Sequence, residues 1–178
     1  MQIAIEAVRS AASPHNFLGH TKHGQSAIFV TLGNPDCHVI LRGGRTTTDY
    51  DSSSVAQICG LLESAGQSPA VVIDCSHANS SKDHAKQSLV CRDVIGQIAT
   101  GDRRIIGVML ESNLVAGAQK LSDGKPLMYR QSITDACIGW DETLELLRGL
   151  AAAVRSARGH GEKGTESRLD GRIKGTVI

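Results

Sequence analysis

The sequence predicts an α/β protein built on parallel strands. Three observations carry that expectation. Continuous apolar runs, "AVVID" at 70–74 and "RIIGVML" at 104–110, have the length and β-branched content of strands buried on both faces. Stretches with helical apolar spacing separate them, and strand–helix alternation builds a parallel sheet. Aromatic residues make up only 3% while glycine supplies 19 positions, which favours many short turns over an aromatic-cored β-sandwich.

Each element has its own signature. "QIAIEAVRSAA" spaces Ala4, Ala7, Val8 and Ala11 for a helix, and Pro14 follows it. "GQSAIFVT" and "CHVIL" read as extended runs around the turn "LGNPD", the second stopping at Arg42-Gly43-Gly44. "SSSVAQICGLLESAG" opens on serines and closes on Gly66, the expected helix punctuation. "DHAKQSLVCRDVIGQIATG" is a further helix closed by Gly101. The last, "DETLELLRGLAAAVRSARG", sets Leu144, Leu147, Leu150 and Val154 on one face. Residues 1–158 therefore read as one domain. The stretch 159–178, rich in glycine and charge, reads as a disordered tail.

The bulk properties exclude several classes. With 19 basic and 18 acidic residues there is no electrostatic case for nucleic acid or an anionic membrane. No apolar run approaches the ~20 residues of a membrane span. The opening residues lack the basic start and apolar centre of a signal peptide, so a cytoplasmic location is expected. Cys37, Cys59, Cys75, Cys91 and Cys137 form no CxxC pair, which argues against a disulfide framework or a zinc knuckle.

The polar residues just past the buried strands are Arg42, His77 and Glu111, 35 and 34 residues apart. A (β/α)8 barrel of ~250 residues averages about 31 per unit and gathers its chemistry at the C-terminal strand ends. The spacing thus points to about three βα units of such a barrel, with an inserted β-hairpin; a doubly wound sheet would give similar spacing, but nothing in the sequence resembles a glycine-rich dinucleotide loop. His77, Glu111 and Asp135 together form a mixed nitrogen and oxygen set suited to a divalent Mn, Fe, Co or Zn ion. Taken singly, each has a plainer role: a histidine satisfying backbone, a solvated loop acid, a turn cap. Arg42, beside two glycines, suits a phosphate or carboxylate, or else a structural ion pair. Lys82 is compatible with an anion contact or with simple solvated surface.

Four motifs carry a resemblance: "GNPDCHVILRGG", "IDCSHANSSK", "IIGVMLESNL" and "QSITDACIGW". They resemble the C-terminal half of the type I 3-deoxy-D-arabino-heptulosonate 7-phosphate (DAHP) synthases, over residues 3–158. The resemblance implies a metal-dependent aldol-type condensation of phosphoenolpyruvate with erythrose 4-phosphate at the head of the shikimate pathway. It implies metal ligation by His77, Glu111 and Asp135, with a cysteine from elsewhere. It places Arg42 on phosphoenolpyruvate and gives Asp135 a proton-handling role, and Val71–Asp74 becomes the seventh barrel strand. The hairpin at 17–31 corresponds to part of an aromatic amino acid effector site, and the full-length family is expected to be homo-oligomeric.

The sequence also departs from the family. The family's cysteine strand end and Lys-Pro-Arg-Thr loop have no counterpart among these residues, so the chain is expected to be the last three strands of an eight-stranded barrel, inactive alone. "RTTTDYDSSS" replaces a Pro-Asn-Tyr-Ser segment, and Arg130 stands where the family generally has glycine. A half-barrel that binds a full-length synthase as an interaction module is the competing reading. A hydrolase using the same three residues is a weaker one, which the four motifs disfavour.

Overall fold

The structure, a computed structural model, describes residues 2–45, 47–122, 124 and 126–169. Its elements follow the expected alternation. Helix α1 (Gln2–Ala12) leads into an antiparallel hairpin of β1 (His15–His20) and β2 (Ser26–Thr31). Strand β3 (Val39–Leu41), helix α2 (Ser52–Ser64), strand β4 (Val71–Asp74), helix α3 (Gln87–Ala99) and strand β5 (Ile105–Met109) then form a βαβαβ run. Its three strands pair in parallel, in the order β3-β4-β5. A small parallel pair, β6 (Val115–Ala118) and β7 (Gln131–Ser132), precedes helix α4 (Trp140–Leu169).

The hairpin of β1 and β2 lies where the sequence reading put it, over 17–31, and Val39–Leu41 of the "CHVIL" run pairs with β4 in the sheet. Two details differ from the sequence reading. Helix α3 begins at Gln87, since Asp83 caps a short 3-10 turn over His84–Lys86. The buried stripe of α4 is phased on Leu146 and Ala153, while Leu147 remains 45% exposed. Leucines at 144, 146, 147 and 150 leave that phase open; packing against α3 decides it. Helix α4 continues past Gly159 to Leu169, and residues 170–178 of the expected tail lie outside the described residues.

The core sits between one face of the sheet and the helices. Val39, Leu41, Val71, Ile73 and Ile105 pack with Val55, Ile58 and Leu62 of α2 and with Val90, Val94 and Ile98 of α3. Ile5 and Val8 of α1 close one side. Asp51 caps α2: its carboxylate accepts from the amides of Ser53 and Ser54, and from both hydroxyls. These bonds hold the Asp51 carboxyl well below the usual carboxylate range. Cys59, Cys75 and Cys91 are buried free thiols acting as small apolar residues. Among the described residues no helix is long and apolar enough to cross a membrane.

The other face of the sheet is poorly covered. Ile40, Ile106 and Met109 are 43%, 56% and 41% exposed, although they belong to the three-stranded sheet. In a parallel sheet both faces are ordinarily buried, and uncovered apolar area drives association. The chain alone is therefore expected to self-associate at micromolar concentration in sedimentation velocity. The double substitution Ile40→Lys and Ile106→Lys is expected to shift it toward monomer. A sharp wild-type monomer boundary would contradict this.

Candidate active site at the strand ends

The loops leaving β3, β4 and β5 converge at one end of the sheet. Asp74, the last residue of β4, is wholly buried, with a side chain only 1% exposed. A bare carboxylate at such depth is costly unless fully bonded, and this one is. Its Oδ1 accepts from the Ser76 amide (2.9 Å) and hydroxyl (2.8 Å). Its Oδ2 accepts from Arg42 Nε (3.1 Å) and faces His77 Nδ1 at 2.9 Å. The acid that closes the apolar run thus joins two of the residues the sequence singled out.

His77 adopts a left-handed backbone, with φ 50°. This is uncommon outside glycine, and it persists only where surroundings enforce it. Here the His77 carbonyl accepts from the Lys82 amide (2.6 Å) and the Ser80 hydroxyl (3.2 Å), while Asp74 holds the ring. The small polar residues after the strand are the material of this turn. Asn79 does the longest-range work: its Nδ2 donates to the carbonyls of Leu41 (3.1 Å) and Asp74 (2.9 Å), tying the ends of β3 and β4 together. Its Oδ1 accepts from Asp49, whose carboxylate in turn accepts from the Gly43 amide (2.7 Å). Gly43, at φ 77°, lies so close to the β4 turn that an added Cβ would stand 2.8 Å from Ala78 Cβ.

Glu111 is placed by a buried amide. Gln87 accepts the Glu111 N–H at Oε1 (2.8 Å) and donates Nε2 to the Glu111 carbonyl (3.2 Å). The same carbonyl accepts from the Ile138 amide (2.9 Å), which anchors the segment carrying Asp135. Glu111 Oε1 then lies 3.6 Å from His77 Nε2. His77, Glu111 and Asp135 line one cavity of about 310 Å³, together with Ser76, Lys82, His84 and Gln87.

The three candidate ligands are not equally close. His77 and Glu111 form a near pair, whereas Asp135 is an exposed residue on the cavity wall. Among the described residues no three His, Cys, Asp or Glu side chains cluster tightly enough to hold an ion by themselves. Arg42 is outside the cavity lining and reaches the site through Asp74; its side chain is 54% exposed. Lys82, left open by the sequence, lines this cavity and a neighbouring one with Arg45, Thr47, Thr48 and Ser81. The cysteine nearest in sequence to His77, Cys75, points into the core, where the hydrogen bond with the Cys91 thiol beside it, and then burial, push its own thiol upward. Sequence reasoning missed Asp74, Asn79 and Gln87. Their one visible signal is a polar residue inside or beside an apolar run.

Arg130 has φ 68°, a left-handed conformation that glycine adopts without cost, and its guanidinium lies 4.8 Å from the centre of the Tyr129 ring.

Two substitutions test this scaffolding. Gln87→Ala strands the buried Glu111 amide and is expected to cost about 1–3 kcal/mol in urea unfolding. Gly43→Ala combines left-handed strain with a clash against Ala78 and is expected to cost at least about 1 kcal/mol, with loss of amide protection at Gly43, Gly44 and Asp49.

Comparison with known proteins gives a consistent result. The family model described as the DAHP synthetase I family matches residues 1–148. The chain is 54% identical over 159 residues to the Phe-sensitive phospho-2-dehydro-3-deoxyheptonate aldolase of Escherichia coli K12, covering 89% of this chain and 45% of that protein. It is 51% identical over 158 residues to the phospho-2-dehydro-3-deoxyheptonate aldolase of Haemophilus influenzae, covering 89% and 44%. A solved structure of the Francisella tularensis SCHU S4 aldolase superposes with TM-score 0.79 at 47% identity, over 88% of this chain and 45% of that one. The chain spans a little under half the length of these relatives. With His77 and Glu111 meeting in one cavity at its strand ends, this α/β chain belongs to the DAHP synthetase I family.

Proposed function

We propose that this chain is the C-terminal part of a (β/α)8 barrel of DAHP synthase type and carries part of its active site. The barrel would condense phosphoenolpyruvate with erythrose 4-phosphate and water, releasing phosphate and the seven-carbon sugar phosphate. The observation that carries the proposal is the facing pair His77 Nε2 and Glu111 Oε1, 3.6 Å apart in a cavity, in a chain of this family. Support for the partial barrel comes from the β3-β4-β5 parallel order and from the uncovered apolar residues on the sheet's second face.

The donor set fits a divalent ion of the Mn, Fe, Co or Zn kind in part. A neutral imidazole and a carboxylate are ordinary ligands for such ions. Asp135 would complete the set only by a shift of its loop, and a fourth ligand would come from residues outside this chain. When bound, the cation supplies Lewis-acid polarisation of the aldehyde oxygen of erythrose 4-phosphate. The chain's own residues do the rest. Arg42 presents its terminal amino groups to the phosphate of phosphoenolpyruvate, holding its orientation and offsetting its charge. Lys82 adds a second cation at the cavity wall. Asp135, an exposed residue lining the cavity, accepts or returns a proton as the sugar hydroxyl forms.

The hairpin of β1 and β2 stacks Phe17 on Phe29, with ring centroids 5.6 Å apart. Because relatives are named Phe-sensitive and Tyr-sensitive, we assign this hairpin to an aromatic amino acid effector site shared with residues outside the chain.

The test has two parts. Titration of the chain with Mn²⁺ is expected to show one site, lost in His77→Ala and in Glu111→Gln. Co-expression with the N-terminal half of the E. coli Phe-sensitive relative is expected to restore phosphate release from the two substrates. In that complex Arg42→Ala is expected to weaken phosphoenolpyruvate binding about 10- to 100-fold, the worth of charge-assisted bonds of about 1.5–3 kcal/mol. Asp135→Asn is expected to lower turnover with Mn²⁺ still bound. Full turnover in that variant would remove the proton-handling role, and absence of any Mn²⁺ site would remove the cation.

A further inference from the structure

Asp74 has no part in the chemistry above, yet it touches both halves of the site. The hydrogen count at its carboxylate settles how. The Ser76 hydroxyl has one hydrogen, and its bond to Asp74 Oδ1 at 2.8 Å uses it. His77 Nδ1 faces Asp74 Oδ2 at 2.9 Å and Ser76 Oγ at 2.5 Å. Both oxygens then offer lone pairs to Nδ1, so Nδ1 must carry the ring proton. In the neutral imidazole this leaves the Nε2 lone pair pointing at Glu111, where a cation ligand is needed. The same Oδ2 accepts from Arg42 Nε, and among the described residues the two terminal amino groups of Arg42 have no hydrogen-bond partner. One buried oxygen therefore serves two donors, one attached to the candidate cation ligand and one to the candidate anion clamp.

We propose that Asp74 is a positioning residue that fixes the His77 tautomer and couples the cation at His77 to the anion at Arg42. The inference rests on the reading of the site given above. An anion on the terminal amino groups draws the guanidinium charge outward and weakens its Nε–H as a donor. Oδ2 then binds the His77 Nδ1–H more strongly, and Nε2 becomes the more electron-rich ligand. Anion binding thus tightens the cation, and by linkage the cation tightens the anion by the same factor. Loss of a carboxylate behind a ligating histidine typically costs about 10- to 100-fold in metal affinity.

The experiment uses the full chain, Mn²⁺ as the cation probe, and inorganic phosphate or phosphoenolpyruvate as the anion probe. In the metal-free wild type, ¹⁵N NMR of the His77 ring is expected to show the proton on Nδ1. Asp74→Asn keeps the Ser76 bonds at Oδ1 but turns a donor toward His77, so the proton is expected on Nε2 and Mn²⁺ affinity is expected to fall about 10- to 100-fold. Phosphoenolpyruvate is expected to tighten Mn²⁺ about five-fold or more in wild type, and not in Asp74→Asn or in Arg42→Ala, which retains the Nδ1 proton. A wild-type ring protonated on Nε2 would overturn the positioning role without needing any variant to fold. Equal tightening in Asp74→Asn would show direct anion–cation contact and overturn the coupling. A wild type that shows the Nδ1 proton but no Mn²⁺ site would overturn the cation reading and its coupling, while leaving Asp74's hold on the ring confirmed.

Discussion

A carboxylate with almost no solvent contact sets the terms for this end of the molecule. Burying the Asp74 carboxylate is costly unless each of its oxygens is bonded, and the neighbouring structure is arranged to bond them. Ser76 takes one oxygen, while Arg42 and His77 share the other. That sharing forces side chains 35 residues apart in sequence to lie side by side, and it orients the imidazole toward Glu111.

The backbone around this carboxylate is held by side-chain amides rather than by more secondary structure. Asn79 bridges the ends of β3 and β4, and Gln87 brackets Glu111 on both its N–H and its carbonyl. Such two-ended amide contacts satisfy strand-end backbone groups that no further strand can reach. Strained positions lie in the same turn, where His77, Ser81 and Lys82 all have positive φ within six residues and the His77 carbonyl accepts from Lys82 and Ser80. The turn is therefore a rigid platform built from small polar residues, and the candidate ligands are mounted on it.

The same geometry bears on the proposed cation site. The sheet brings a histidine and a glutamate within 3.6 Å of each other, and a guanidinium beside them, while Asp135 is an exposed residue lining the same cavity. On the proposed reading, full ligation requires further walls to press the loops inward. The exposed apolar residues Ile40, Ile106 and Met109 mark where such walls would pack, which accords with a chain spanning a little under half of its relatives.

The order of elements was readable from hydrophobic pattern, helix caps and glycine stops, because those signals are local and each run of residues carries its own. The strand ends bearing Arg42, His77 and Glu111 were readable for the same reason: each directly follows an apolar run. The family motifs added a role for each. What the linear pattern could not decide was anything that depends on two distant segments meeting. The phase of α4 waited on its contact with α3, and the pairing of the "CHVIL" run on its meeting β4. The importance of Asp74, Asn79 and Gln87 was hidden because a buried polar residue shows its function only through the groups it bonds, and those lie up to 38 residues away. The sequence by itself determined which residues end the strands; the tertiary structure alone decided that one buried carboxylate joins them, since the cost of burying a charge exists only once the chain has closed around it.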